Sequence, residues 1–415
     1  MTKIRAFKAL RPAPELAEKI ASRPYDVLSS AEARAEREGN DHSFYRIIKP
    51  EVDLPVDVDS HSQAAYDKAS ENLQEFISSG WLKEDESPSL YFYRQRMGEI
   101  DQTGLVCVSA IDDYFDDFIK KHEFTRPAKE EDRIAHMATI GAHPGPVFLS
   151  HPSHARLREI RTQWQSEHEP LFSFDAGDDV LHEGWIIDAP EVISEIQQIF
   201  EQDIPKTYIA DGHHRSAASA KVGQRLRDAA DGSTGDEAYN YFLSVIFDED
   251  DLAIWDYNRV IKDLNGLSQE AFLAALGEQF EVSPLSAAHK PSSAYNYGMY
   301  LDGQWYQLAA KQAPDASDPV KCLDVSVLSE RVLEPILGIA DQRTSDRIDF
   351  IGGIRGMQEL QDRVDSGDWQ LAFSIFPVSM KQLMAVAEAG DVMPPKSTWF
   401  EPKLRSGLFA HRFKS

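Results

Sequence analysis

The chain has 415 residues, of which 42% are hydrophobic and 10% aromatic, and its formal net charge at pH 7 is −26. This length exceeds what one hydrophobic core usually serves, so at least two compact units are expected. A surface this acidic repels a phosphate backbone, and the sequence has no dense run of Lys and Arg, which together disfavour a nucleic-acid-binding protein.

The composition also predicts where the protein works. The longest apolar runs fall far short of the roughly 20 residues that a membrane helix needs, so no membrane association is expected. No charged and then apolar leader with a small-residue cleavage site follows Met1, which predicts a cytoplasmic protein. The two cysteines, Cys107 and Cys322, lie beside apolar residues, a pattern typical of buried thiols.

The N-terminal third of the sequence predicts short strands alternating with helices. Residues 4–11 alternate apolar and basic side chains and end at prolines, as in a short strand. Residues 62–79 carry apolar side chains at helical spacing, and a glycine follows them. Residues 43–48 are predicted as a strand, and residues 89–94 and 103–110 as the two arms of a hairpin.

Residues 121–133 form a long polar block with the sequence Lys-His-Glu-Phe-Thr-Arg-Pro-Ala-Lys-Glu-Glu-Asp-Arg. Pro127 can begin a helix, which puts Lys129 and Arg133 one turn apart on the same face. Glu123 and Arg126 precede that helix. A solvated, charged helix start would have the same pattern, so the residues alone leave a structural and a functional interpretation open.

Residues 208–222, Tyr-Ile-Ala-Asp-Gly-His-His-Arg-Ser-Ala-Ala-Ser-Ala-Lys-Val, predict a strand, a tight turn and the start of a helix. The free N–H groups and the dipole of the helix point at the turn, where Gly212 lets a ligand approach the backbone. Arg215 adds a planar, permanently charged fork that suits phosphate. Asp211, at the edge of the turn, can hold a metal, accept a proton or simply cap the helix.

The remainder of the chain predicts a smaller unit and a C-terminal segment. The smaller unit has an amphipathic helix, a hairpin that turns at Asp302 and Gly303, and a helix over residues 325–337. A helix, strand, helix order follows it and supports a mixed α/β architecture. The predicted divisions are residues 1–265 for the core, 266–340 for the smaller unit and 341–415 for the C-terminal segment.

A proline-framed loop, Met-Pro-Pro-Lys-Ser-Thr-Trp-Phe-Glu-Pro-Lys-Leu, occupies residues 393–404. The glycines of a P-loop are absent before its Lys-Ser-Thr, so that motif is rejected. The loop still offers hydroxyl groups, backbone donors and the ammonium groups of Lys396 and Lys403, which suit phosphate or carboxylate recognition. A packed crossover anchored by Trp399 and Phe400 is the alternative.

Four segments of the sequence together resemble a large, mostly uncharacterised bacterial and archaeal family often labelled ParB-like. They are Arg-Pro-Tyr-Asp-Val at 23–27, the polar block at 122–133, Asp-Gly-His-His-Arg at 211–215, and residues 393–408. The Gly-x-x-Arg core of the third segment resembles the phosphate-binding turn of the ParB and sulfiredoxin superfamily. Its full five-residue form is similar to that of the superfamily's free L-serine kinase branch. The resemblance implies an α/β (α+β) fold, in which a ParB/sulfiredoxin-like core with mixed sheets carries an additional smaller C-terminal unit.

This resemblance implies a small-molecule phosphotransferase. The most specific form is a free L-serine kinase that makes O-phosphoserine for cysteine synthesis, with Mg²⁺ and ATP, ADP or pyrophosphate as the phosphoryl donor. Glu123 or Asp211 would accept the serine hydroxyl proton, and the other carboxylate would hold Mg²⁺. The predicted site contains catalytic His213 and His214, donor-binding Gly212, Arg215, Ser216, Arg126, Lys129, Arg133, Lys396, Ser397, Thr398 and Lys403, substrate-binding Tyr25, Asp26, His122 and Thr125, and Asp211 as the metal ligand.

Three other classes of protein remain open. A non-catalytic binder of a nucleotide or phosphometabolite would use the same cations without a positioned proton acceptor. A ParB-like DNA-associated protein is disfavoured by the net charge. A metal hydrolase is disfavoured because adjacent histidines do not easily face one ion and no helical His-x-x-x-His pair is present. The sequence leaves a homodimer open.

Overall fold

The computed structural model describes residues 2–414 and divides them into two compact units. The first unit contains residues 2–252 and 402–414, and the second contains residues 253–401. Both combine helices with sheets, so the predicted mixed α/β class is confirmed. The division differs from the predicted boundaries after residues 265 and 340, because strands from both sides of residue 340 form one sheet.

The first unit contains nine α-helices and thirteen strands within the part of the chain that the structure describes. Its helices are α1 (Ala17–Ile20), α2 (Ser30–Arg37), α3 (Tyr45–Ile48), α4 (Gln63–Ser78), α5 (Ile111–Phe115), α6 (Pro127–Ile140), α7 (Ala155–Glu167), α8 (Pro190–Gln202) and α9 (His213–Ala229). Its strands are β1 (Ile4–Arg5), β2 (Leu10–Pro12), β3 (Leu82–Glu84), β4 (Leu90–Met97), β5 (Ile100–Ala110), β6 (Ile119–Lys120), β7 (Ala142–His143), β8 (Val147–His151), β9 (Phe172–Asp175), β10 (Leu181–Ile187), β11 (Thr207–Asp211), β12 (Tyr241–Asp248) and, last in the chain, β21 (His411–Arg412).

A nine-stranded mixed sheet is the centre of the first unit. Its order is β6-β11-β8-β12-β5-β4-β10-β9, with β1 also paired to β5. The β11–β6 and β12–β8 pairs are parallel and the others antiparallel. Every residue of β12 is buried, as its continuous apolar run requires. Strand β11 carries the Asp211 turn and lies between β6 and β8, so the sheet positions the predicted site.

Two predicted elements of this unit differ from the structure, and the first is the strand predicted over residues 4–11, where β1 and β2 are two short strands in different sheets. The β4–β5 hairpin and α4 are confirmed. The strand predicted over residues 43–48 is wrong, because Tyr45–Ile48 form the short helix α3, in which all four residues are buried. A short apolar run buried on all sides has the same sequence signature in a strand and in a helix.

Helices α6 and α9 pack against each other and carry the two polar segments of the predicted site. A small apolar cluster lies between them, and it consists of Ile134, Met137, Ala218, Val222 and Phe413. Helix α6 ends at Gly141, whose left-handed conformation at a φ of +68° closes the helix. The small residues predicted along α9 are buried, which lets the helix approach its neighbours closely.

Replacing Gly223 in α9 with alanine is expected to destabilise the first unit. A Cβ atom at this position would lie 2.2 Å from the backbone carbonyl oxygen of Tyr239. Forcing that group apart should lower the free energy of unfolding by about 1–3 kcal/mol, measured by urea denaturation. Gly277→Ala in the second unit is the control, because a Cβ there meets nothing within 4 Å. Equal effects at the two positions would contradict the close approach.

The second unit is built on a six-stranded antiparallel sheet of order β15-β17-β16-β19-β14-β18, with β13 and β20 as a separate pair. Its strands are β13 (Ile254–Trp255), β14 (Tyr257–Ile261), β15 (Phe280–Leu285), β16 (Asn296–Leu301), β17 (Gln304–Ala310), β18 (Ile348–Gly352), β19 (Leu371–Ile375) and β20 (Trp399–Phe400). Its helices are α10 (Gln269–Gln279), α11 (Asp324–Leu328), α12 (Gly356–Asp365) and α13 (Met380–Glu388).

The hairpin predicted at Asp302 and Gly303 is confirmed by the β16–β17 pair. The helix predicted over residues 325–337 differs, since α11 passes into a π-helical turn at Ser329–Leu333. The core of this unit includes Val260, Tyr300, Trp305, Ile351, Leu360, Val364 and Ala372. None of the helices within residues 2–414 has the length and apolar character needed to cross a membrane.

Several histidines are buried in the first unit, and we expect them to make its stability depend on pH. Burial lowers the pKa of His136 and His182 to about 3 and that of His411 to about 4. His143 has a pKa well below the usual value because it is buried and lies beside His411, and neither of its ring nitrogens has a hydrogen-bond partner among residues 2–414.

These histidines bind protons more readily in the unfolded chain, where the pKa of a histidine side chain is about 6.5. Their stabilising contribution is therefore complete above pH 6.5 and is lost as the pH falls toward the folded pKa values. The melting temperature should fall between pH 7 and pH 5, and His143→Leu should reduce that fall. Asp113 opposes the trend, because burial raises its pKa to about 6. An unchanged pH dependence in His143→Leu would show that this histidine is not responsible.

Candidate functional site

The turn between β11 and α9 has the predicted order of strand, tight turn and helix start. Gly212 precedes the helix with a φ of +84°, a conformation that favours glycine. The Ser216 hydroxyl donates to the Gly212 carbonyl oxygen at 3.0 Å, within the first turn of α9. The first turn of a helix has free N–H groups and the positive end of the dipole, so this turn can bind an anion.

Asp211 is held at this turn by two interactions. Its Oδ1 accepts a hydrogen bond from the Gly212 N–H at 3.0 Å, and its Oδ2 accepts one from the Lys403 ammonium at 3.0 Å. Burial opposes ionisation of the carboxyl group, but the charges of Lys403 and Arg215 outweigh it and hold the pKa of Asp211 below its ordinary value. The side chain is 44% exposed, so a ligand can reach it.

The carboxylate paired with Arg215 lies farther from it than the carboxylates paired with Lys403 and Arg133 lie from those cations. Its Nη1 donates to the Pro146 carbonyl oxygen at 2.6 Å, while Nη2 lies 3.7 Å from a carboxylate oxygen of Asp26. Its guanidinium carbon lies 5.6 Å from the centre of the Tyr25 ring. The side chain is only 14% exposed, and partly buried cations usually have close counter-charges. Arg215 can therefore accept a phosphate or carboxylate as an additional partner.

Arg133 lies on the same tyrosine but is already paired. Its guanidinium carbon is 4.3 Å from the centre of the Tyr25 ring, and its Nε donates to Asp132 at 2.6 Å. Asp132 also accepts the Tyr66 hydroxyl at 2.7 Å. Burial, followed by the Asp26 charge, raises the pKa of Tyr25. Tyr25 thus connects the two guanidinium groups, and a role of Arg133 in donor binding stays a prediction.

Residues 122–126 lie against the start of α9 through the two adjacent histidines. The N–H of His122 donates to Nε2 of His213 at 3.4 Å, and the N–H of Arg126 donates to Nε2 of His214 at 3.0 Å. Nδ1 of His213 lies 3.6 Å from a carboxylate oxygen of Glu123. Burial lowers the pKa of all three histidines, to about 4 in the case of His122.

The remaining predicted residues of this segment are less central. The Thr125 hydroxyl donates to Glu130, which also accepts a hydrogen bond from Lys221. Arg126 is exposed and occupies the N-cap position of α6, and Lys129 is exposed in the first turn of that helix. Thr125 therefore anchors the segment to α6.

Lys396, Ser397 and Thr398 lie in the second unit, between α13 and β20. Ser397 is buried and donates to the Pro394 carbonyl oxygen at 2.6 Å. Lys396 has a positive φ of +56°, and its ammonium lies 5.7 Å from the centre of the Tyr257 ring. A role of these three residues in ligand binding stays a prediction.

The geometry offers little for a tightly held metal ion. Across the part of the chain that the structure describes, no group of three or more His, Cys, Asp or Glu side chains is arranged to hold one. Mg²⁺ commonly uses one or two carboxylates together with water and substrate phosphates. Asp211 fits that weaker requirement, although Lys403 already contacts one of its oxygens.

Sequence reasoning missed the residues that hold the site in place. Asp132 and Glu130 belong to a charged run that indicates a solvated helix face, but Asp132 orients Arg133 and Glu130 binds Thr125. Their signal was the position within the polar block, directly beside predicted site residues. The carbonyl oxygen of Pro146 has no sequence signal, because any residue can supply a backbone carbonyl group.

The chain belongs to the family described as Protein of unknown function (DUF1015), which matches residues 4–326. No curated protein matches the chain. This family membership defines the class of protein, and the ParB and sulfiredoxin relationship stays a prediction.

Solved structures show distant likenesses. One is a free serine kinase in complex with AMP, 16% identical, with a TM-score of 0.34 and coverage of 75% of this chain and 93% of that chain. Another is a conserved hypothetical protein from Pyrococcus furiosus, 13% identical, with a TM-score of 0.34 and coverage of 74% and 94%. A third is SbnI with a C-terminal truncation from Staphylococcus aureus, 12% identical, with a TM-score of 0.38 and coverage of 74% and 87%. Likenesses this distant carry no functional conclusion.

Proposed function

We propose that the chain is a small-molecule phosphotransferase whose phosphoryl donor binds at the first turn of α9. The observation that carries this proposal is the grouping at that turn of a left-handed glycine, Arg215 and the Asp211–Lys403 pair. Free backbone donors and two cations can neutralise phosphate charge, and a carboxylate lies beside them. Catalysis of phosphoryl transfer depends mainly on such positioning and charge neutralisation.

The proposed acceptor is the hydroxyl group of free L-serine, which rests on the resemblance of Asp-Gly-His-His-Arg to the serine kinase branch. The serine Oγ atom forms a bond to the terminal phosphorus of the donor while the bond from phosphorus to the leaving oxygen breaks. The hydroxyl proton passes to a carboxylate, and the products are O-phosphoserine and the shortened donor. The same resemblance supports a cytoplasmic enzyme that feeds cysteine synthesis, and a homodimer stays a proposal.

Of the two candidate carboxylates, Glu123 is assigned as the proton acceptor and Asp211 as the Mg²⁺ ligand. A general base is most effective when its pKa is near the working pH, and the cations around Asp211 lower its pKa. An ionised Asp211 beside the donor phosphates suits a hard cation that keeps several waters. Mg²⁺ would neutralise developing phosphate charge there, together with Lys403 and Arg215.

Tyr25, Asp26, His122 and Thr125 are assigned to the acceptor side of the site. The carboxylate of Asp26 is exposed and lies 3.7 Å from Arg215, which places it beside the proposed site. It can therefore pair with the ammonium group of a bound amino acid. Arg126 and Lys129 would bind the donor tail or the amino-acid carboxylate. ATP, ADP and pyrophosphate remain open as donors, because all three carry the phosphate groups that the cations would bind.

Phosphorus NMR of the purified protein with L-serine and Mg²⁺ tests the proposal, with ATP, ADP or pyrophosphate in separate tubes. Appearance of O-phosphoserine in one tube would establish the reaction and the donor together. Homoserine and L-threonine in place of L-serine would test the acceptor. Arg225→Ala is the control variant, since Arg225 lies on α9 but is exposed and paired with Glu131.

A non-catalytic nucleotide or phosphometabolite binder is the second candidate, because the start of α9 and Arg215 can bind phosphate whether or not Glu123 accepts a proton. In that case no tube would contain a new phosphomonoester, while one phosphate ligand would still raise the melting temperature. Retention on DNA that disappears at moderate salt would instead support the ParB-like alternative, which the net charge of −26 disfavours.

A further inference from the structure

The adjacent imidazoles of His213 and His214 make the same kind of contact. Each accepts, at Nε2, a backbone N–H from residues 122–126, and the two donors, His122 and Arg126, are four residues apart. A ring nitrogen that accepts a hydrogen bond must be unprotonated. Both rings are therefore neutral, with their hydrogen on Nδ1.

The surroundings of His213 agree with this tautomer. Its Nδ1 lies 3.6 Å from a carboxylate oxygen of Glu123, the side to which an Nδ1–H would point. The ring is buried and meets the His122 ring edge to face, with 4.4 Å between their centres. One ring nitrogen thus faces the backbone of the segment, and the other faces its carboxylate.

The segment has a third anchor, where the Thr125 hydroxyl donates to Glu130 on α6. The anchors at residues 122, 125 and 126 leave Glu123 and Phe124 on the outer side, with Glu123 55% and Phe124 64% exposed. A carboxylate held on a tethered backbone samples fewer positions than one on a mobile loop. Such restriction is what a proton acceptor needs in order to be effective.

We infer that His213 and His214 are positioning residues, which hold residues 122–126 against the first turn of α9 and so set the position of Glu123. This replaces the catalytic role predicted for them from sequence. The inference rests on the proposed function only where it concerns the use of Glu123 as proton acceptor. The tethering itself is independent of the reaction.

Amide hydrogen exchange of the full-length protein tests the tethering directly. His214→Ala should speed exchange at the Arg126 N–H roughly fivefold to tenfold, the effect of losing about one hydrogen bond. His214→Gln should restore protection, because the Gln amide oxygen can take the place of Nε2. His168→Ala, at an exposed histidine after α7, should leave exchange at residues 122–126 unchanged. Unchanged exchange in His214→Ala would overturn the inference.

Turnover then separates positioning from chemistry. His214→Ala should lower kcat at least tenfold with a smaller change in KM, and His214→Gln should recover most of it. An inactive His214→Gln with full protection would show that the imidazole acts chemically and would overturn the inference. If the unmodified protein makes no O-phosphoserine, the proposed function fails, while the exchange result still decides whether the two histidines tether the segment.

Discussion

Asp211→Asn is expected to lower turnover of the proposed reaction by about 10³-fold, within the range found when a charged group is removed from a catalytic site. Asparagine keeps the size of the side chain and can still accept the Gly212 N–H. It removes the negative charge that pairs with Lys403 at 3.0 Å and would bind Mg²⁺. The initial rate of O-phosphoserine formation, measured with each donor, checks the prediction.

The same substitution should have little effect on folding. The Asp211 side chain is 44% exposed, and an ion pair with this exposure contributes about 1 kcal/mol or less. Asp101→Asn is the matched control, because Asp101 is 46% exposed and paired with an arginine. If the loss of activity in Asp211→Asn came with a large fall in melting temperature, Asp211 would instead have a structural role.

The local geometry around Asp211 was predictable because its causes are local. A β-rich pair, a glycine and a run of small residues are enough to indicate strand, turn and helix, and the structure has them at the expected positions. The helix beginning at Pro127 was predictable for the same reason, since proline favours the first helical position.

The contacts that assemble the site were not predictable, because their causes are distant in the chain. Lys403 lies 192 residues from Asp211, and no periodicity relates the two. The division of the chain after residue 252 depends on which strands pair with which, and the sequence predicts strands without their partners. The buried helix α3 was mistaken for a strand, because continuous burial removes the periodicity that separates the two.

The roles that we infer for His213 and His214 show a different limit. Histidine is the side chain most often used for proton transfer near neutral pH, so two of them beside an anion-binding turn indicate chemistry. In the structure their Nε2 atoms accept backbone hydrogen bonds. Residue type alone does not reveal which nitrogen is engaged or by what, and this determines whether a histidine exchanges protons or holds a segment in place.

Arg215→Lys is expected to lower kcat/KM by roughly 10²-fold although the charge is kept, since a lysine does not replace a guanidinium fork at a phosphate site. In the unmodified protein Nη1 of Arg215 donates to the Pro146 carbonyl oxygen, while Nη2 lies 3.7 Å from Asp26 and can take a phosphate oxygen as a closer partner. A lysine ammonium lacks the planar fork, so it cannot give a phosphate two parallel hydrogen bonds as a guanidinium group does. Steady-state kinetics with the donor identified by phosphorus NMR measures the effect.

The comparison of Arg215→Lys with Arg215→Ala identifies what the arginine contributes. If the fork both anchors to Pro146 and binds phosphate, Arg215→Ala should lose a further tenfold or so, because the remaining charge is removed as well. Arg225→Lys on the same helix is the control and should retain full activity, since Arg225 is exposed and paired with Glu131. Activity of Arg215→Lys within about threefold of the unmodified protein would mean that charge alone suffices. The turn would then bind phosphate mainly through its backbone N–H groups and helix dipole, with Arg215 serving as a nearby positive charge.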